Sequence, residues 1–155
     1  EKGLRTAGNK RWWSKTHNNW NQVCNGGLVA ASLATYESNP EVAARHIMDA
    51  VESNMEPLKV MYGPDGNYVE GYSYWDYGTL YQCMMLTALE TAMGTDFGLS
   101  QSEGFLKTGE FMMFMEGIKE RFNFYDSWGA KSPAIARRCT NWSIAIRGKI
   151  ITARR

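Results

Sequence analysis

The stretch "THNNWNQVCNGG", Thr16–Gly27, gathers five amides, Asn18, Asn19, Asn21, Gln22 and Asn25, around Trp20 at the point where a helical pattern begins. Amides cost little at a helix end, where they cap free backbone groups, and much in a dry interior, where every donor and acceptor needs a partner. The stretch is therefore expected to be either a capped, solvated helix start or the polar wall of a cleft. Beyond it, Val23, Gly27, Ala30, Ala31, Leu33 and Ala34 recur at spacings of three and four, with small side chains that let a neighbouring helix approach closely.

Working outward, "YESNP" stops this helix before Pro40, and Pro40 is placed to start the next. Val42, Ala43, Ile47, Ala50, Val51 and Met55 share one side of that second helix, while Pro57, ahead of Leu58 and Met61, is expected to kink or break it. Tyr62 to Gly78 reads as a loop leading into a third helix, with turn chemistry at Pro64-Asp65-Gly66. The third helix runs to Gly94, and Leu80, Met84, Leu86, Leu89 and Met93 give it a broad apolar face expected to be buried. A fourth helix is expected from Gln101 to Gly117, followed by an irregular aromatic loop. Pro133 is placed to open a fifth helix, and the final stretch "WSIAIRGKIITARR" fits a helix or a terminal strand. Successive helical hairpins with short connections argue for an all-α array, either a bundle or an incomplete curved set of stacked pairs.

The 155 residues can close one core but seldom two, and 44% hydrophobic with 21% charged residues describes a folded chain. A formal net charge of +1 provides no global field for nucleic acid. The basic clusters "ARR", "RGK" and "TARR" lack the aromatic interleaving of a base-stacking surface, so no nucleic-acid partner is expected. Cys24, Cys83 and Cys139, with only His17 and His46 to join them, do not take metal-ligand spacing, so neither a metal nor a cofactor is expected. Cys24 and Cys83 read as buried thiols. No signal-peptide pattern is visible from Glu1, and no apolar run approaches a membrane span.

Several of the six tryptophans and eight tyrosines fall in loops and helix starts, where an aromatic face can stack on a sugar while neighbouring amides bind hydroxyls. The motifs "NNWNQVCNGG", "PDGNYVEGYSYWDYGTLY" and "FNFYDSWG", in that order, resemble the heparinase II/III family of polysaccharide lyases and their alginate-lyase relatives. The resemblance extends from about Arg11 to Ser132. It implies that residues 1–155 form one fragment of an α/α-toroid catalytic domain, an incomplete toroid of helical hairpins, without the family's C-terminal β-domains. It also implies a periplasmic or secreted protein that cleaves acidic, uronic-acid-containing polysaccharide by β-elimination as part of a larger lyase, the isolated fragment being inactive.

The chemistry suits these residue types. A uronic acid carries a weakly acidic C5 proton beside its carboxylate; neutral donors can stabilise the charge that builds when it leaves, and a tyrosine can move the proton. The resemblance assigns carboxylate binding to Asn19 and catalysis to Tyr74, with Tyr72 and Tyr77 as rivals. Asn18, Trp20, Tyr72, Trp75 and Tyr77 are the candidate substrate-binding residues. Where related lyases carry a histidine after the asparagine, this chain has Trp20, and His17 lies three residues earlier. Glu70 reads most simply as a favourable charge at the start of its own helix, and Asp65 as a turn residue. Tyr68 packs or lines the cleft, and Tyr125, Asp126 and Trp128 are placed to close one end of a groove. A glycoside hydrolase would instead need two carboxylates across one bond, Glu70 with Asp76 or Asp126. The remaining alternative is a non-catalytic helical glycan-binding or structural domain.

Overall fold

The computed structural model describes residues 12–115 and 122–127. They form four α-helices, α1 (Asn19–Ala34), α2 (Pro40–Met61), α3 (Tyr72–Met93) and α4 (Glu103–Met115), with short 3-10 turns at Trp12–Lys15 and Leu99–Gln101. Among the described residues the β-type pairing is an isolated bridge between Tyr62 and Tyr68. The chain is all-α here, as its periodicity predicts. The expected fifth helix or terminal strand, Cys139 and Trp128 lie outside the described residues.

The helix ends follow local chemistry. Asn18 caps α1, its Oδ1 accepting from the Trp20 N–H at 3.2 Å. Pro40 stands in the first turn of α2, where its missing N–H costs nothing. Gly94 closes α3 at φ +72°, a left-handed cap that glycine adopts without strain.

The α1–α2 hairpin is antiparallel, because Asn21 near the start of α1 reaches Ser53 near the end of α2. The α3 helix runs parallel to α1: a Cβ on Gly78 would lie 3.3 Å from Asn19 Cβ, and one on Gly26 would lie 2.8 Å from the Tyr81 carbonyl. These two glycines let the helix backbones approach, but on a different face from the one the small residues of α1 predict. Gly27, Ala30, Ala31 and Ala34 are exposed, and α1 turns Asn21, Gln22, Asn25, Gly26 and Val29 inward instead. The α4 helix lies across the end of α2 and the 63–71 loop. Phe105 meets Tyr62 edge-on at 5.1 Å, and the Thr108 hydroxyl donates to the Gly66 carbonyl at 2.8 Å.

Val29, Ile47, Val51, Leu58, Met61, Met85, Leu86 and Leu89 form the apolar centre of this unit. Met55, Met84 and Met93 do not join it; each is more than two-fifths exposed, which narrows the apolar faces read for α2 and α3.

The larger departure concerns the amides. Asn21, Gln22 and Asn25 have no exposed surface, so they belong neither to a solvated helix start nor to a cleft wall. They are the polar interior between α1, α2 and α3. Gln22 donates to the Tyr62 hydroxyl at 2.7 Å and accepts from the Tyr68 hydroxyl at 2.6 Å, and Tyr62 pairs in turn with Thr79 at 2.8 Å. Deeper along the helices, Asn54 and Gln82 exchange two hydrogen bonds of 3.0 and 2.7 Å, and Asn21 Oδ1 accepts from both Asn54 and Asn25. The helices supply these partners from three directions, which offsets the cost of taking amides out of water.

The same network accounts for Pro57. The helix α2 continues through it to Met61 instead of breaking. Proline has no N–H for the carbonyl four residues back, that of Ser53. Asn21 Nδ2 from α1 donates to that carbonyl at 3.1 Å, so the acceptor freed by the proline is satisfied from outside the helix.

Candidate functional site

Three segments far apart in sequence meet where α1 and α3 begin. The Glu70 carboxylate accepts from the Asn19 backbone N–H at 2.6 Å and from its side-chain Nδ2 at 3.1 and 3.2 Å. Three residues on from Glu70, Ser127 Oγ accepts the Ser73 N–H at 2.9 Å and pairs with the Ser73 hydroxyl at 2.9 Å. Between them Gly71, at φ +84°, lies so close to the 122–127 segment that a Cβ would fall 2.5 Å from the Phe124 carbonyl. The three quoted sequence motifs are thereby brought to one end of the helical unit.

This geometry corrects the reading of Glu70. Its charge serves the positive end of α1, not of its own helix, and α3 takes its capping acceptor from Ser127. A carboxylate suits the N-terminus of α1, where free N–H groups and the helix dipole both favour negative charge.

Asn19 is 5% exposed, its amide held by Glu70. Asn18, beside it, is half-buried and engaged as the cap. Tyr74 is partly buried against the core, one helical turn before Gly78, which itself touches Asn19 and Gln22. Tyr72 and Trp75 are buried at 3% and 1%, and the Trp75 indole donates to Thr108 Oγ1 at 2.6 Å. Both rings are therefore core members here, with no face turned to solvent. Tyr77 is 44% exposed and meets Tyr81 edge-on at 5.2 Å. Its phenol is held above the ordinary range, first by a hydrogen bond with Tyr81 and then by partial burial and the neighbouring Tyr81 and Cys24. Tyr77 thus keeps its proton at neutral pH.

Tyr68 is fully buried, and its phenol is pushed well above 10 by burial first, then by Tyr62 and by the charge and hydrogen bond of Glu70. It joins the edge of the site to the interior, touching Glu70 on one side and Gln22 on the other.

Trp20 is half exposed and packs at 5.5 Å against Trp12, itself 47% exposed. Trp12 escaped the sequence reading, although its tandem "RWWSK" just before the amide-rich stretch was the available signal. Ser127 also escaped it, because a cap supplied from 54 residues away leaves no local trace. His17 is exposed and stands 3.9 Å from Glu56, directed to α2. Tyr125 is 79% exposed at φ +56°, next to exposed Asp126. Asp65 accepts from the Asn67 N–H in the expected turn.

Among the described residues no group of three or more His, Cys, Asp or Glu could hold a metal ion, and no helix is long and apolar enough to cross a membrane. Cys24 and Cys83 are thiols not joined in a disulfide, half-buried and buried, and burial raises the Cys24 pKa. Comparison with known protein families finds no match, and a search of curated proteins finds no relative.

Proposed function

We propose that the end of the unit where α1 and α3 begin is one wall of an acidic-polysaccharide site in a larger lyase of the heparinase II/III-like kind. In this reading the helices belong to an incomplete α/α toroid, and β-domains of the longer protein supply the opposite wall. The observation that supports it most is the meeting of the three motif segments through Asn19–Glu70, Gly71–Phe124 and Ser73–Ser127.

The chemistry follows from the groups at that end. Asn19 already holds a carboxylate with its amide, that of Glu70, so the donors a uronate needs are oriented for this type of acceptor. Binding a uronate there requires Glu70 to give up that amide. Tyr74, reacting as its phenolate, takes the C5 proton; the electron pair left behind forms the C4–C5 double bond, and the C4 oxygen leaves with a proton from a neighbouring phenol. Tyr77, exposed one helical turn along α3 from Tyr74, is the neighbouring phenol that supplies it. Trp20 offers a sugar face beside them.

One observation favours a second reading, a helical glycan-binding or structural domain without catalysis. Asn19 is almost wholly covered and its amide is engaged, and Tyr72 and Trp75 are used for packing.

The full-length protein tests both. Acidic oligosaccharide should yield an unsaturated uronate, visible as new ultraviolet absorption, and Tyr74→Phe should abolish most turnover with the helical signal intact. Asn19→Ala should cost roughly 2 to 4 kcal/mol of transition-state stabilisation. Unchanged kinetics in Tyr74→Phe move the proton transfer to Tyr77, since Tyr72 is buried against Trp75. Binding without any product supports the non-catalytic reading, and products lacking the double bond support a hydrolase.

A further inference from the structure

Trp12 and Trp20 differ from the third large indole of this region. Trp75 is buried to 1% exposure with its N–H bonded, whereas Trp12 and Trp20 leave 47% and 50% of their surface in solvent while packing against one another at 5.5 Å and 59°. Two such rings side by side form an exposed apolar patch, and apolar area left in water is free energy not collected on folding.

The patch is held open by the interior. Trp12 stands on the 3-10 turn Trp12–Lys15, whose carbonyls are tied down from two helices. Asn21 Nδ2 reaches the Trp13 and Ser14 carbonyls at 3.4 and 3.3 Å, and Ser53 Oγ donates to the Ser14 carbonyl at 2.9 Å. Thr16 Oγ1 adds a bond of 3.0 Å to the Trp13 carbonyl, and the Trp13 ring packs against the core. The turn that carries Trp12 is therefore fixed by the buried Asn21 and the half-buried Ser53 and Thr16, so the ring's exposure comes from its anchored position. Trp20, on the first turn of α1, is fixed by the Asn18 cap.

From this geometry we infer that Trp12 and Trp20 form a sugar subsite that binds one pyranose ring of an oligosaccharide, with Trp12 as a binding residue in its own right. The C–H face of a pyranose matches the apolar face of an indole, and the half-buried Asn18 side chain, bonded to the Trp20 backbone N–H, supplies an amide two residues from Trp20 in the chain that can meet a ring hydroxyl. The tilt between the rings gives a ligand two non-parallel faces, which suits a saccharide better than a flat stacked base. The subsite rests on the glycan reading of this same end and adjoins Asn19, one residue from Trp20.

The test is titration calorimetry with tryptophan fluorescence on the chain, using an alginate tetrasaccharide as acidic probe and cellotetraose as neutral probe. Trp12→Ala should weaken binding roughly tenfold, the loss of about one good aromatic contact, and Trp12→Phe should weaken it less. The helical signal and unfolding temperature of Trp12→Phe check that the turn stays in place. Acidic binding unchanged in both variants overturns the subsite and leaves the glycan reading standing. Neutral binding that depends on Trp12, with no acidic binding, supports the subsite and removes the acidic reading. No binding of either probe overturns the subsite.

Discussion

Asn18 and Asn21 stand one helical turn apart in the same amide-rich stretch, and their side chains do different work. Asn18, at the rim, makes one hydrogen bond to the Trp20 backbone and stays half in solvent. Asn21, fully buried, serves three elements at once: it feeds the Ser53 carbonyl that Pro57 leaves open, ties down the turn carrying Trp12, and accepts from Asn25 and Asn54. The difference teaches that an amide's value lies in what happens when it is lost. Water replaces the partner of the first and cannot reach the partners of the second.

Asn21→Leu should therefore have the largest effect. It removes the donor to the Ser53 carbonyl and the acceptor for two buried amides, and should cost about 3 to 4 kcal/mol, since each orphaned buried group costs about 1 to 3 kcal/mol and some relax. Urea unfolding measures it. A sharper form combines it with Pro57→Ala, which restores a backbone N–H for the Ser53 carbonyl. The double variant should recover about 1 kcal/mol relative to the sum of the single effects. Strict additivity would show that the proline and the amide are not coupled and would undo this account of why α2 continues.

Tyr68 tests the interior through pH. Its folded pKa lies above the value of about 10 that an unfolded tyrosine shows. A raised phenol pKa means that the unfolded chain loses this proton first as pH rises. The contribution is fully present below about pH 10 and falls above it, until the folded pKa is passed, by at most about 1.4 kcal/mol per pH unit. Denaturant unfolding at several pH values from 8 to 11 should show a steeper alkaline loss in the parent chain than in Tyr68→Phe. Equal slopes would mean that Tyr68 ionises as easily folded as unfolded. Burial, with Tyr62 and Glu70 behind it, would then not hold the proton on the folded phenol.

The helices were legible because their signals are local: the Pro40 start and the Gly94 stop each lie within a few residues of the feature they set, whereas the three-four set of α1 marked a helix but the wrong face, Gly27, Ala30, Ala31 and Ala34 being exposed. The fate of the amides was not, because burial of Asn21 and Gln22 depends on Ser53, Asn54 and Tyr62, which arrive from other helices. Glu70 failed for the same reason; its sequence position beside α3 hides a partner 51 residues earlier. Tyr72 and Trp75 show the limit of reading aromatic density as a binding surface. The helical phase that turns Tyr77 outward turns Trp75 onto Thr108 and Tyr72 against Trp75.

The smallest effect belongs to the rim. Asn18→Ala deletes the acceptor for the Trp20 N–H, and should cost about 0.5 to 1 kcal/mol, the low end for a cap because water can reach the exposed N–H. Asn18→Ser keeps a side-chain acceptor within reach and should lie within a few tenths of a kcal/mol of the parent chain. The loss is limited further because the preceding N–H, that of Asn19, is held independently by Glu70. Differential scanning of the two variants decides it. An alanine variant that loses as much as Asn21→Leu would mean that the rim and the interior form one cooperative network, and that the solvent exposure of Asn18 does not shield the fold from its removal.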